Sequence, residues 1–436
     1  MYLDDGFGCG KDFSGTQSLA HDIKSDLLKS GFVPKAEKSL WVPVQVLQFL
    51  GCTIDSERFI LYVTESRVEK ILKTLEYIEE TVRKSRRVPA RKVASLVGQI
   101  ISMSVVIGSV SQIMTRYISM DISQVFSWSA YIKLSDESLL QLKFWRENVN
   151  NINVKTLSEV EKCSKIIYSD ASGSGFGGYE VNTVNGVAHG VWTEEESGKS
   201  STWRELVGVL RVLKSLGTTL SGHRVKWFTD NTGVFKIVDK GSMKLDLQLV
   251  AKDIFHTCIK YAISLEMEWI PRTLNDRADY LSRVLEKDDW GISINSLNII
   301  IQRWATLDVD WFSSEHNAKL PVFFSRFWSE GSTGVDAFVH YWGDSRGLFV
   351  PPPCLILRVV RKMIYEKAQG VLVIPLWKSA MFWSVISKKD GTFIPQISDY
   401  IDLPTAKEWF TPCKSGVGIF GNLDLKFRML ALFMDC

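Results

Sequence analysis

The chain has 436 residues, 45% of them apolar and 23% charged, with 15 Trp and 23 Phe. This is a globular composition, long enough for roughly two to four domains and too aromatic for a solvated, disordered chain. Lys and Arg number 52 against 49 Asp and Glu, so the net charge of +3 supplies no global field for nucleic acid and any basic footprint is local.

Seven scattered cysteines without a CxxC pair make a poor disulfide framework. None of the six histidines stands at ligand spacing from a cysteine or from another histidine, which argues against zinc. No apolar run reaches about eighteen residues, and Met1-Tyr2-Leu3-Asp4-Asp5-Gly6 lacks the basic start and apolar core of a signal peptide. The expectation is a soluble, unsecreted protein with reduced thiols, cytoplasmic or nuclear, with no membrane partner.

In chain order, residues 1–63 read as short strands, Val44 to Leu50 and Phe59 to Val63 among them, broken by Gly and Pro. Helical spacing follows from Thr64. Ile71, Leu72, Leu75 and Ile78 mark one helix, and Val93, Leu96, Val97 and Ile100 mark a second beyond Val88-Pro89. Between them Arg83 to Lys92 is the densest positive run, either a solvated helix end or a phosphate contact. Residues 131–163 are polar and mixed and read as a connector. From Lys165 the pattern gives three strands (Lys165 to Asp170, Gly178 to Asn182, Val187 to Trp192), then a helix from Ser201 to Leu216. A strand (Val225 to Thr229), a helix from about Asn231, a helix (Leu245 to Tyr261), a strand (Leu265 to Ile270) and a last helix near Asp276 follow. That succession describes a mixed α/β sheet with flanking helices. Residues 286–436 form a further unit, rich in aromatics and Pro.

Asp170 and Asp230 close strands of that sheet, while Glu205 and Asp279 lie in its helices. Each has an ordinary alternative: a turn start for Asp170, a helix cap for Asp230 with Asn231, a capping box of Thr202 with Glu205, and surface pairing of Asp279 with Arg277 or Arg283. Together they can converge on one sheet edge, where four carboxylates repel unless divalent cations neutralise them. Oxygen ligands suit Mg²⁺ or Mn²⁺, and two such ions about 4 Å apart form the clamp for in-line attack on a phosphodiester.

Ile166-Ile167-Tyr168-Ser169-Asp170-Ala171-Ser172, Thr202-Trp203-Arg204-Glu205-Leu206, Phe228-Thr229-Asp230-Asn231 and Asn275-Asp276-Arg277-Ala278-Asp279-Tyr280-Leu281-Ser282-Arg283 resemble, in order, the four blocks of a retroelement ribonuclease H. The last resembles the ending found in Gypsy-type and DIRS-type elements, which places the fourth ligand at Asp279 and not Asp276. The resemblance implies a ribonuclease H-like domain over 164–285, with Asp170, Glu205, Asp230 and Asp279 as catalytic and metal ligands for two ions. It implies an endonuclease that cuts the RNA strand of RNA:DNA hybrids. The mobile histidine of cellular relatives has no counterpart, since His256 falls inside a predicted helix. A catalytically silent, nucleic-acid-binding remnant is the alternative from another class.

Tyr2-Leu3-Asp4-Asp5, Lys29-Ser30-Gly31-Phe32, Glu37-Lys38-Ser39 and Gln48 to Asp55 resemble the segments at and after the YxDD hairpin of retroelement reverse transcriptases. By that resemblance 1–63 is the end of a palm and 64–130 a thumb, with Arg86, Arg87 and Arg91 gripping the DNA or RNA backbone. Asp4 and Asp5 would be vestigial polymerase ligands. The earlier palm carboxylate and the fingers are missing from this sequence, so polymerase activity is not expected from it alone, and a truncated copy or partial gene model is the reading of its start. Trp304 to Ser314, Asn317 to Pro321, Val335 to Phe338, Val350-Pro351-Pro352-Pro353 and Val373 to Trp377 resemble the domain that follows ribonuclease H in DIRS-like, tyrosine-recombinase-encoding retrotransposons, which looks like a Dam-type adenine methyltransferase. Methylation requires an Asn or Asp before Pro-Pro and an aromatic after it. Val350 and Pro353 stand there instead, so a non-catalytic accessory domain over 286–436 is expected. Other retroelement proteins are further partners the resemblance implies.

Overall fold

The computed structural model describes residues 6–157, 162–183, 186–284, 288–414, 416 and 418–436. Asp4 and Asp5 lie outside the described residues, as does the expected boundary near residue 286. The chain divides into two compact units, Met1–Glu161 with Asp239–Gln248, and Lys162–Val238 with Leu249–Cys436.

The first unit begins with a helix where strands were expected. Helix α1 (Phe13–Lys29) starts at Asp12, whose carboxylate accepts from the Gly15 amide, and buries none of its residues. The strands come later. β1 (Val46–Phe49), β2 (Cys52–Asp55) and β3 (Ile60–Val63) form an antiparallel sheet closed by Lys155–Thr156. Leu50 and Gly51, at φ 48° and 80°, turn β1 into β2, the positive pair that a two-residue hairpin demands. Helix α2 (Glu65–Ser85) buries Val68, Ile71, Leu75 and Ile78, and α3 (Ala90–Ile101) buries Val93, Leu96, Val97 and Ile100. Their spacing is the helical period read from the sequence. Arg86 ends α2 in the left-handed conformation. Helix α4 (Arg116–Ser123) follows, and the segment read as a connector holds α5 (Asp136–Asn148), which sinks Gln141, Leu142 and Trp145 into the core.

In the second unit, β4 (Lys165–Ala171), β5 (Gly175–Glu180) and β6 (Val187–Val191) make an antiparallel meander. Helix α6 (Ser201–Leu216) crosses its face, and β7 (Arg224–Thr229) lines up parallel to β4. Helices α7 (Thr232–Lys240) and α8 (Leu245–Lys260) lead to β8 (Ser264–Trp269), parallel to β7, and α9 (Asp276–Leu281) ends the succession. The sheet order is β8-β7-β4-β5-β6, a mixed sheet. Leu206, Val209, Leu210 and Leu213 of α6 and Ile167 and Trp227 of the sheet are buried between the layers.

Residues beyond 288 build a second mixed sheet. After α10 (Ile294–Trp304), the strands β9 (Val309–Asp310), β10 (Arg346–Phe349) and, past α11 (Ile356–Glu366), β11 (Gln369–Pro375) run parallel. β12 (Ile397–Leu403) and β13 (Met429–Asp435) add antiparallel pairs in the order β9-β10-β11-β13-β12. Alternate residues of β11 enter two separate apolar clusters, Leu372 and Ile374 one of them, Val371 and Val373 the other, so both faces of this sheet are covered. Val350 to Pro353 leaves the end of β10, and Pro353 opens a 3₁₀ turn into α11.

Candidate active site

Asp170, Glu205 and Asp230 reach the β8-β7-β4-β5-β6 sheet's candidate site by different local routes. Asp170 lies within β4, opposite Gly177, and is 5% exposed. The turn after it is held by Ser172, whose hydroxyl accepts from the Ser174 and Gly175 amides. Glu205 is not part of a capping box. Ser200 caps α6 by accepting from the Trp203 amide, which leaves Glu205 more than a turn inside the helix and 8% exposed. Asn231, not Asp230, caps α7, its side-chain oxygen accepting from the Gly233 and Val234 amides. Asp230 stays at the end of β7 with its main-chain carbonyl accepting from the Trp269 indole at 2.9 Å.

Asp170, Glu205 and Asp230 come together, each offering an oxygen within 4.8 Å of the others'. Burial first, then the charges of Asp170 and Asp230, push the Glu205 carboxyl up to about 9. Burial also raises Asp170, with Asp230 and Asp279 adding to the rise and a hydrogen bond with Ser282 opposing it. Asp230 is raised by burial and by Asp279, against Arg272.

Asp279 is not one of the three converging carboxylates. It is held by two guanidiniums, with Arg272 Nη2 at 2.9 Å and Arg283 Nη2 at 2.7 Å from the same oxygen, and these hydrogen bonds, Arg283 foremost, hold its carboxyl below the usual range. Arg277, the other suggested partner, stacks over the Tyr179 ring instead. Asp276 is exposed. The site therefore presents a triad of two buried carboxylates, Asp170 and Glu205, and the half-buried Asp230, with Asp279 alongside, near enough for its charge to raise Asp170 and Asp230.

Three interactions that sequence reasoning did not single out fix this block on the sheet. The Asn275 amide donates to the Ser169 carbonyl at 3.0 Å, and the Ser172 hydroxyl donates to the Ser282 carbonyl at 2.7 Å. A Cβ on Gly177 would meet the Leu281 carbonyl carbon and the Ser282 amide at 2.5 Å, so glycine here admits the backbone of α9 against β5. Arg272 was also missed, since nothing in Ile270-Pro271-Arg272 marks it as a partner of Asp279. His256 lies in α8.

The donors are hard carboxylate oxygens that disfavour one another's charge when bare, which fits a divalent cation with oxygen preference. Elsewhere, Arg86, Arg87 and Arg91 are exposed, at the junction of α2 and α3. Among the described residues no helix is long and apolar enough to cross a membrane.

No protein-family model and no curated protein matches the chain. Among solved structures it is similar to the foamy viral protease-reverse transcriptase in complex with double-stranded DNA, at 16% identity over 60% of this chain and 44% of that one, with a TM-score of 0.29. It is also similar to LC11 ribonuclease H1 in complex with an RNA/DNA hybrid (21% identity, 27% of this chain and 93% of that one, TM-score 0.24). Ribonuclease H1 of the halophilic archaeon Halobacterium salinarum is a third (17% identity, 27% and 92%, TM-score 0.23). The chain thus spans less than half the length of the viral protein.

Proposed function

We propose that residues 164–285 form a metal-dependent endonuclease that hydrolyses the RNA strand of RNA:DNA hybrids. The observation that carries this reading is the convergence of Asp170, Glu205 and Asp230 within 4.8 Å, from two strand ends and a helix. Asp170 and Asp230 would be shared between two Mg²⁺ or Mn²⁺ ions, with Glu205 and Asp279 completing one each. Ions held there would lower the pKa of a water and offset charge on the phosphodiester. The chain's own part is to hold the oxygens fixed. Glu205 carries a proton when no cation is near, and Asn275 and Ser172 pin the last block to the first. Selectivity for RNA would rest on the 2′-hydroxyls of one strand of the hybrid.

In the same reading the first unit is part of a palm followed by a thumb that holds the nucleic-acid backbone through Arg86, Arg87 and Arg91. The chain would belong to a DIRS-like retroelement, work inside the cell beside other proteins of that element, and carry a non-catalytic, Dam-methyltransferase-like domain over 286–436. One observation favours a second reading, a silent nucleic-acid-binding remnant: Asp279 is engaged by two guanidiniums and is not one of the three converging carboxylates. Purified protein given an end-labelled hybrid separates the two. Short RNA products with Mg²⁺, a spared DNA strand and little cutting with Ca²⁺ support the nuclease, and intact RNA under every metal supports the remnant.

A further inference from the structure

Between Glu80 and Asp136 the only acidic residue is Asp121. It is buried, with one carboxylate oxygen taken up by Ser135 and Ser138. Lys84 pairs with Glu80 of the preceding turn, and Arg86, Arg87 and Arg91 follow with no acidic residue among them. Arg86, Arg87 and Arg91 are exposed and make no ion pair among the described residues.

The loop that follows α4 lies directly against this run. Pro89 pairs with Tyr131 and Val88 with Ile132 in a short antiparallel ladder, and the Ala90 amide donates to the Ala130 carbonyl at 2.9 Å. Val88 and Ile132 are both buried, so the ladder is anchored in the core. Three aromatic side chains project from the loop and the start of the ladder: Phe126 stands fully in solvent, while Trp128 is 62% and Tyr131 60% exposed. The loop holding them has its own hydrogen bonds, from the Ala130 amide to the Ser127 carbonyl and between the Ser127 and Ser129 hydroxyls at 2.7 Å. Three large rings held in water by an ordered turn forgo apolar burial with no gain to the fold.

We propose that Phe126, Trp128 and Tyr131 are a stacking ledge for the bases of a single-stranded nucleic acid, whose phosphates are taken by Arg86, Arg87 and Arg91. Flat rings beside guanidiniums are the chemistry that tracks an unpaired strand without reading its sequence. A duplex offers phosphates to the arginines but no free base faces to the rings. The ledge therefore selects unpaired nucleotides, such as a strand running out of a hybrid, and the proposal does not depend on the nuclease reading.

The test is fluorescence anisotropy of labelled oligo-dT and oligo-U with the full chain, without Mg²⁺, so that nuclease activity does not enter. The combined variant Phe126→Ala, Trp128→Ala, Tyr131→Ala should bind at least about ten-fold more weakly with an unchanged salt slope, because base stacking is removed while the arginines still neutralise the phosphates. Replacing the three arginines by Ala should instead reduce the slope, by up to about 0.7 for each phosphate left without its cation. Trp128→Phe should retain binding, and Trp128→Ala alone, which spares the rest of the loop if the triple variant does not fold, should weaken it about five-fold. Oligonucleotide affinity unchanged in Trp128→Ala or the triple variant would overturn the proposal. So would a wild-type chain that binds anionic phospholipid vesicles through these residues and no oligonucleotide.

Discussion

The side-chain amide of Asn275 donates to the main-chain carbonyl of Ser169 across 3.0 Å in the protein core, joining the entry of α9 to the strand that carries Asp170. The bond lies one residue from Asp170 and four from Asp279. It sets how the two ends of the candidate site sit on each other. Asn275→Ala leaves that buried carbonyl without its donor, which costs about 1–3 kcal/mol. Urea unfolding should show a loss in this range, and calorimetry should show weakened Mg²⁺ binding in the same variant.

Gly177 sets the other constraint on the same helix. An alanine Cβ there would overlap backbone atoms of Leu281 and Ser282, which cannot turn aside as a side chain would. Gly177→Ala should therefore lower stability by about 1–3 kcal/mol. Hybrid cleavage should fall further than the folded fraction does, since Asp279 moves with the helix. Thermal melts combined with cleavage rates on the folded protein check both halves of this expectation.

The bare site has a definite pH dependence. Glu205 is pushed up to about 9 in the fold, while an exposed glutamate titrates at about 4.3, so between these values the folded protein holds a proton that the unfolded chain has released. Stability contributed by the protonated carboxyl is complete below the lower value and is lost as pH rises toward the upper one. A divalent cation takes the place of that proton. The rise in melting temperature on adding Mg²⁺ should be larger at about pH 8 than at about pH 6, and Glu205→Gln should flatten the difference.

Arg272 competes with any cation for Asp279. It is exposed and bonded to the carboxylate at 2.9 Å, and Arg283 is bonded to the same group at 2.7 Å. Arg272→Ala should lower the Mg²⁺ concentration needed for half-saturation, as seen by isothermal calorimetry. Asp279→Asn, combined with it, should remove that gain. If the single variant binds Mg²⁺ no better than the wild type, Asp279 is an ion-pair residue and not a ligand.

Much of the site was legible because its signals are local. An apolar strand ending in Asp170, a second ending in Asp230, and helical spacing around Glu205 can each be read within a few residues, and the elements lie where those patterns put them. What the sequence hid depends on packing. β5 begins at Gly175 and not Gly178, because glycines that suggest a turn are needed there to admit neighbouring backbone, Gly190 and Ser282 at Gly175 and α9 at Gly177. Helix α1 buries no residue, so its apolar positions at Leu19, Ile23 and Leu27 give a weak stripe, and the Asp12 cap was the better signal. In the assumed connector, Leu142 and Trp145 pack into a core although most of α5 is polar. The Ser200 cap displaced the Thr202 reading by two residues, enough to turn Glu205 from a cap partner into a buried acid.

The most direct test is cleavage of an end-labelled RNA:DNA hybrid by the wild-type chain and by Asp170→Asn in Mg²⁺. Asparagine keeps the side chain's size and removes the charge that two cations would share. Short RNA products are expected from the wild type, none from Asp170→Asn, and hybrid binding that is nearly the same for both. Cleavage that persists in Asp170→Asn, or a wild-type chain that binds the hybrid and leaves the RNA intact, would contradict the proposed nuclease.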